Sequence, residues 1–344
     1  MEITQRKPEP QRRLDEWDMI VKPFDWKTYN DSQTKEKLLF LKLLDDLCNL
    51  VDDDKYTLTG RKPKSLSHQI FCICLKIYLN TSSRRLISEI ELCRRRGHLD
   101  AVPHFNSVLN YFNNPQIKRT LTYLIELSSL PLAQLEEKFA VDSTGFSERK
   151  YMEKWSDVRQ KFSLHRQYRK AHCIYGVYSN IVSSAIVTEG TANDSPMFAE
   201  LLKATADNFN VKEVSADLGY SSRENMKYAD ELGITPFIPF KKNAIRRSKG
   251  AMVWNRMYKY FKENKEDFLK HYHARSNAES GFFMIKQRFG DYVNCKNDMA
   301  QTNEILAKIL CHNICVLIQE IFLSNLDINF YYCAEKYLAQ KQMA

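Results

Sequence analysis

The chain has 344 residues, a formal net charge of +9 and a hydrophobic content of 44%. This hydrophobic content excludes a disordered chain, and the length favours two or three domains over one. The positive charge favours a polyanionic partner such as nucleic acid, although solvated lysines on any enzyme would give a similar total. The first residues lack the apolar core of a signal peptide, so we expect a cytoplasmic protein without a membrane segment.

The nine cysteines occur without a Cys-x-x-Cys pair, and most lie in apolar runs of the sequence. This pattern predicts buried, reduced thiols in a cytosolic protein. No pairing of histidine and cysteine at zinc-ligand spacing stands out, so a zinc site is not predicted.

The N-terminal part of the sequence divides into a polar arm and a helical region. Residues 1–32 are polar and contain three prolines, which favours an arm over a domain. Every segment from 33 to 132 has a helical pattern, and Asp31 and Ser32 are candidate caps of the first helix. A basic run at 94–96 is explained equally well by a solvated helix end and by a phosphate contact.

After residue 132, short β-rich runs alternate with helical segments. Strands are predicted at 139–146, 172–179, 181–190, 211–220 and 234–240, the last on an edge because it contains two prolines. Helices are predicted to begin at Ser195 and Ser221, and a longer one spans 303–323. The predicted fold class is α/β (α+β), with a mixed sheet flanked by helices over 133–325 and a C-terminal tail over 326–344.

Two aspartates lie where predicted strands end, namely Asp142 in Ala-Val-Asp-Ser-Thr-Gly and Asp217 in Val-Ser-Ala-Asp-Leu-Gly. Side chains at strand ends face the crevice in which ligands bind. Each aspartate taken alone is commonly a turn or cap residue, and Glu279 taken alone is an ordinary exposed helix residue. Together the three form a candidate set of hard oxygen ligands.

Glu279 belongs to a run that includes Tyr272, Arg275 and Lys286, whose spacing places all four on one side of a helix. If Ser276 or its neighbour caps that helix, Arg275 lies in the loop before it. Three carboxylates suit Mg²⁺, and two such ions can activate a nucleophile and stabilise the leaving oxygen in a displacement at phosphorus. Arg275 and Lys286 would then bind phosphates. A structural helix with solvated charges is the alternative.

At these positions the chain resembles the DDE transposases of bacterial and archaeal insertion sequences. The group signature Y-(2)-R-(3)-E-(6)-K and the two acidic motifs are matched by Tyr272, Arg275, Glu279, Lys286, Asp142 and Asp217. The resemblance covers roughly residues 135–320 and implies an RNase H-like fold and cut-and-paste movement of DNA. It also implies two divalent ions, Mg²⁺ or Mn²⁺, held by the three carboxylates. We expect a nucleoid-associated homodimer that binds terminal inverted repeats and target DNA.

One stretch departs from the family pattern. Many relatives carry Gly-x-x-His-Asp-Ser where this chain has Asn193 in place of the histidine. A catalytic role for position 193 is therefore left open. Capping of the next helix would account for Asp194 and Ser195.

Two basic segments fit a DNA groove. The loop from 148 to 170 contains eight Lys and Arg residues with interspersed aromatics, among them Trp155, which would stack on an unpaired base or pack in the core. A second basic segment follows the last predicted strand. The candidate DNA contacts in the two segments are Arg166, Arg169, Lys170, Lys241, Lys242, Arg246 and Arg247. His172 is predicted to be structural.

Three functional hypotheses remain at this point. The leading one is an active transposase whose helical region binds the element ends. A metal-dependent nuclease without strand transfer shares the same carboxylates. A domesticated, catalytically silent DNA-binding protein is the third, and the presence of all three carboxylates argues against it.

Overall fold

The computed structural model describes residues 25–51, 64–148, 168–247 and 249–343. Most of the predicted polar arm and most of the first basic loop, including Arg166 and Trp155, lie outside these ranges.

Five helices form the N-terminal part of the described chain: α1 (Trp26–Cys48), α2 (Leu66–Leu79), α3 (Ser83–Arg95), α4 (Phe105–Tyr111) and α5 (Pro115–Ser129). The predicted caps Asp31 and Ser32 are wrong, because both lie inside α1. Asp25 caps this helix instead, and its carboxylate accepts the backbone N–H of Lys27 at 3.0 Å and that of Thr28 at 3.3 Å.

A mixed sheet follows, with six strands in the described ranges: β1 (Lys138–Glu148), β2 (Tyr168–Gly176), β3 (Val182–Glu189), β4 (Glu213–Ala216), β5 (Thr235–Phe237) and β6 (Tyr292–Val293). Their order is β3-β2-β1-β4-β5, and β6 pairs with the far end of β1. Strands β1 to β3 are antiparallel, whereas β4, β5 and β6 run parallel to β1. The five predicted strands are confirmed, and β5 lies at an edge.

Seven further helices lie in the described part of the chain after α5: α6 (Met197–Ala206), α7 (Arg223–Glu231), α8 (Met252–Glu263), α9 (Lys265–Tyr272), α10 (Ser276–Phe289), α11 (Asp298–Leu323) and α12 (Phe330–Met343). The cap of α7 is Ser222 rather than the predicted Ser221, since the Ser222 hydroxyl accepts the N–H of Asn225 at 3.0 Å. The predicted C-terminal tail contains α12, whose Tyr337 donates a hydrogen bond to Glu126 of α5 at 2.6 Å.

Hydrophobic clusters cover both faces of the sheet. Phe139 and Val141 of β1 pack on one face with α6, α7, α8 and α9. Ala140 and Tyr175 belong to the other face, which packs against α10 and α11 and shares a continuous core with α1 to α5. The helical region and the sheet are therefore packed together, and a 3₁₀ turn at Leu130–Leu132 lies between α5 and β1.

Two buried asparagines of α11 connect the helical region to the sheet. The Asn313 side-chain amide binds both the N–H of Val182 in β3, at 2.9 Å, and its carbonyl, at 2.8 Å. The same amide nitrogen donates to the hydroxyl of Ser128 in α5 at 3.0 Å. Asn303 donates to the carbonyl of Phe112, after α4, at 2.8 Å. Because a buried amide is costly to leave unpaired, these bonds fix the relative position of the three elements.

Helix α11 is the centre of this core. It is long and apolar enough to cross a membrane by length and composition, but 83% of its apolar window is buried inside the protein. Its Lys308 is also buried, donates to the carbonyls of Gly290 and Tyr292, and has a pKa lowered to about 8 by burial. The predicted packing of this helix on the core is confirmed.

Glu136, just before β1, anchors the hairpin between β2 and β3. It is 1% exposed, and it accepts hydrogen bonds from the N–H of Tyr178 at 3.1 Å and from the N–H and hydroxyl of Ser179, both at 2.7 Å. We expect Glu136→Ala to lower the free energy of unfolding by about 3 kcal/mol, because it leaves buried donors unpaired. Urea denaturation measures this loss.

The neighbouring Glu137 provides the matched control. Its carboxylate is 46% exposed and pairs with Lys212 at the surface at 2.6 Å. Exposed pairs contribute at most about 1 kcal/mol, so Glu137→Ala should change stability little. Equal losses for the two variants would contradict the assigned role of Glu136.

Candidate active site

Asp142 and Asp217 lie side by side where β1 and β4 stop pairing. The last paired residues are Val141 and Ala216, and each aspartate follows directly. Neighbouring strands lie about 5 Å apart, which brings the two carboxylates together. Asp217 follows the end of β4 as predicted, but the prediction that Asp142 ends a strand is wrong, because β1 continues to Glu148 with β2 as its partner.

The segment that carries the other candidate residues is not one helix. Helix α9 ends at Tyr272, a 3₁₀ turn contains Arg275, and α10 begins at Ser276 and carries Glu279 and Lys286. The predicted single helical face is therefore wrong. The alternative is confirmed in that Arg275 precedes the helix, but the predicted cap at Ser276 or its neighbour is wrong, because Ser276 is the first helical residue and no side chain caps α10.

Arg275 connects two of the three candidate carboxylates. Its Nη1 lies 3.4 Å from Oδ2 of Asp142, and its Nη2 donates to Glu279. The side chain of Asp142 is only 17% exposed, whereas that of Glu279 is 55% exposed. Burial raises the pKa of Asp142 to about 6; the charges of Asp217 and Glu279 act in the same direction, and Arg275 opposes them. The turn has thus placed the guanidinium between a partly buried carboxylate and an exposed one.

Tyr272 lies beside this guanidinium at the end of α9. The phenol is partly buried against the core that covers the α6 to α9 face of the sheet. Burial raises its pKa, and the adjacent positive charge of Arg275 opposes that shift. The hydroxyl therefore stays protonated and can donate a hydrogen bond.

Lys286 lies further along the same side of β1. Its ammonium donates to the hydroxyl of Thr144 at 2.6 Å and lies 5.4 Å from the centre of the Phe146 ring. Thr144 follows Asp142 by two residues, so both point to the same face of the strand. Burial lowers the pKa of Lys286. Lys286 therefore lies on the face of β1 that carries the partly buried Asp142.

We expect Lys286→Ala to weaken DNA binding more at low salt than at high salt. Log K for DNA binding falls as log salt concentration rises, and the loss of one phosphate contact makes this slope shallower by about 1. The affinities of the variant and the parent therefore converge as the salt concentration rises. Fluorescence anisotropy with a labelled duplex at several salt concentrations measures this slope.

Lys270 on the neighbouring α9 supplies the matched control, since Lys270→Ala removes the same charge elsewhere. A uniform loss at all salt concentrations would instead assign Lys286 to folding.

The donor chemistry of the site fits a hard divalent cation, but the ligand set is incomplete as it stands. Across the described ranges, no group of three or more His, Cys, Asp or Glu residues is placed to hold a metal ion. The carboxylate of Glu279 forms an ion pair with Arg275 and is therefore not free to bind a metal ion together with the two aspartates. Asp142 and Asp217 nonetheless place two like charges together, and a cation would offset their repulsion.

Asp194 is a site neighbour that sequence reasoning assigned wrongly to helix capping, since no side chain caps α6. Its carboxylate accepts the hydroxyl of Ser143 at 2.8 Å, pairs with Lys170 and lies 3.3 Å from Nδ1 of His172. Ser143 points to the opposite face of β1 from Asp142. This cluster therefore packs against the face of β1 opposite to the one that carries Asp142.

Ser195 and His172, near this cluster, form hydrogen bonds within the protein. Ser195 does not cap α6 either, because its hydroxyl accepts a hydrogen bond from the side-chain amide of Asn225 at 3.0 Å. His172 is fully buried and bonds to the hydroxyl of Thr188 at 2.9 Å. Burial lowers the pKa of His172 to about 4, so the ring is neutral at pH 7.

The predicted DNA-binding cations differ in their surroundings. Arg166 lies outside the described residues. Arg169 pairs with Asp298 and is 13% exposed, and Lys170 pairs with Asp194. Both are thus engaged within the protein. Those after β5 are exposed, namely Lys241, Lys242, Arg246 and Arg247.

A cleft of about 410 Å³ lies beside these exposed cations. Lys241, Arg223, Lys249 and Trp254 line it, and the Arg223 guanidinium lies 4.5 Å from the centre of the Trp254 ring. Helix α7 begins at this cleft, only a short turn after Asp217. Glu224 also lines the cleft, but the cations outnumber it. Together with the helix N-terminus they make this surface suited to phosphates.

A comparison with protein families matches residues 133–314 to the family described as the transposase DDE domain. The matched span is more than half of the chain and contains β1 to β6 with all three candidate carboxylates. No curated protein matches the chain. Membership implies a DNA-binding enzyme of transposition, in a family that generally uses divalent metal ions. The chain belongs to the transposase DDE domain family, with an RNase H-like mixed sheet flanked by helices behind a helical N-terminal region.

Proposed function

We propose that this chain is the transposase of a prokaryotic insertion sequence, in the group with the Y-(2)-R-(3)-E-(6)-K signature. It would cut and rejoin DNA strands at the element ends in cut-and-paste transposition. The observation that carries this proposal is the adjacency of Asp142 and Asp217 at the β1–β4 edge, faced by Arg275 and Glu279.

Asp142 and Asp217 would supply neighbouring ligands to Mg²⁺ or Mn²⁺, and Glu279 would complete the set on leaving Arg275. Two bound ions would activate a water or a 3′-hydroxyl and stabilise the leaving oxygen. Arg275 is attached to a turn rather than to the middle of a helix, which permits its guanidinium to pass from Glu279 to a DNA phosphate. Arg275 would thus pair with Asp142 and Glu279 before DNA binds and with a phosphate afterwards.

The partners we propose are the terminal inverted repeats and the target DNA, bound by a homodimer in the prokaryotic nucleoid. Helices α1 to α5 would bind the element ends. Tyr272, Lys286 and the exposed cations after β5 would contact the backbone near the cleaved bond. The net charge of +9 agrees with such partners.

The test incubates the full chain with duplex oligonucleotides that carry the DNA flanking its gene. We expect cut ends and joined products with Mg²⁺, neither with EDTA, and both again when excess Mg²⁺ is restored. Denaturing gels separate the two kinds of product.

The other two hypotheses predict different products on these gels. Cut ends without joined products would indicate a nuclease that does not transfer strands. Binding without cleavage at any metal concentration would indicate a silent DNA-binding protein. The flanking DNA gives an independent check, since inverted repeats bracketed by a short direct duplication mark a mobile element.

A further inference from the structure

A second and larger cleft, of about 680 Å³, lies apart from the carboxylates. One wall comes from the end of α2, the start of α3 and helix α4, and the other from the loop between β6 and α11. Asn297 donates a hydrogen bond to Asn113 across it. The cleft is therefore a junction between the helical region and the RNase H-like domain.

Asparagine is the commonest residue type in the lining of this cleft. Six asparagines line it: Asn80, Asn106, Asn110, Asn113, Asn294 and Asn297. An amide presents a donor and an acceptor together, and asparagine pairs in this way with the major-groove edge of adenine. Asn106 and Asn110 are exposed one turn apart on α4, beside Leu109, which is 47% exposed. An exposed aliphatic group next to amides suits the methyl group of thymine.

Cations occupy the rim of the same cleft. Lys296 is exposed on the loop, and the Arg84 guanidinium lies 4.7 Å from the centre of the Phe105 ring on the opposite wall. The carboxylate of Glu304 also reaches the lining, but it accepts the N–H of Cys295 at 2.9 Å and is 2% exposed. The charge offered to a ligand is therefore positive. Cations bind phosphates without regard to sequence, and amides distinguish bases.

We infer that this cleft reads the sequence of duplex DNA. Asn106 and Asn110 contact base edges, and Arg84 and Lys296 contact the phosphates on either side. The inference rests on the proposed function for the presence of DNA. The proposed function concerns the phosphodiester bond that is cut, and this inference adds which residues recognise the DNA sequence.

The experiment selects binders from a pool of duplexes with 20 random base pairs, using the full chain and the double variant Asn106→Ala/Asn110→Ala. The parent is expected to enrich an A·T-containing motif. The double variant should bind that motif about tenfold or more weakly, while its affinity for the unselected pool changes less than about twofold. Lys296→Ala should weaken binding to the motif and binding to the unselected pool equally. It should also make the slope of log K against log salt shallower by about 1.

Asn210→Ala is the matched control, because Asn210 is exposed in the loop that leads into β4, outside the cleft lining. Alanine favours a helix more than asparagine does, so the double variant should also keep its melting temperature. An unchanged motif and affinity in the double variant would overturn the inference, as would a parent that enriches no motif. Failure of cleavage with selective binding intact would instead count against the proposed function alone.

Discussion

Asp142→Asn is expected to lower the rate of DNA cleavage by about a thousandfold or more while the protein stays folded. The change removes a charged oxygen next to Asp217, and the contribution of a bound metal ion to a phosphoryl transition state is several kcal/mol. Asp217→Asn should cause a loss of the same order. Single-turnover cleavage of a labelled duplex with Mg²⁺ measures both, and Asp230→Asn, a surface change on α7, serves as the control.

The pH dependence of stability separates this catalytic loss from a folding defect. Burial raises the pKa of Asp142 from 3.8 to about 6, so the native chain binds this proton more tightly than the unfolded chain. Ionisation of Asp142 therefore lowers stability as pH rises through that interval, and asparagine removes this penalty. The melting temperature of Asp142→Asn at pH 8 should equal or exceed that of the parent. A clear decrease would assign the lost cleavage to misfolding.

Gly281→Ala is expected to reduce stability and cleavage together. Gly281 lies in α10, two residues after Glu279, and an added Cβ would lie 2.3 Å from Cε1 of Tyr175. Tyr175 is fully buried, so the helix must shift. We expect a loss of about 3 kcal/mol in the free energy of unfolding. A shift of about 1 Å in Glu279 would lower the cleavage rate about a hundredfold.

Two further variants test that explanation. The clash involves ring carbons of Tyr175, so adding Tyr175→Phe to Gly281→Ala should restore nothing, whereas adding Tyr175→Ala should restore part of the cleavage rate. Gly219→Ala is the stability control, because its Cβ would come no closer than 3.7 Å to Asp194. Full activity in Gly281→Ala alone would show that the position of α10 does not limit catalysis.

The strands were predictable because apolar and β-branched residues cluster within short runs, whereas the two-residue β6 is too short to leave such a pattern. The spacing of Arg275, Glu279 and Lys286 drew attention to a segment whose Arg275 lies beside Asp142. The 3₁₀ turn between α9 and α10 was missed because neither glycine nor proline marks it. The partners of Asp194 lie on β1 and β2, far away in sequence, so no local pattern reveals them.

Asn303 and Asn313 hold the helical region at a fixed distance from the sheet. Asn303 binds the end of α4, and Asn313 binds α5 and β3. The surface around α4 and the sheet that carries Asp142 therefore cannot change their separation without breaking buried hydrogen bonds. A rigid frame of this kind would measure a set number of base pairs from the recognised sequence to the cleaved bond. The protein core would then determine where the DNA is cut, and the DNA sequence at the cut itself would not.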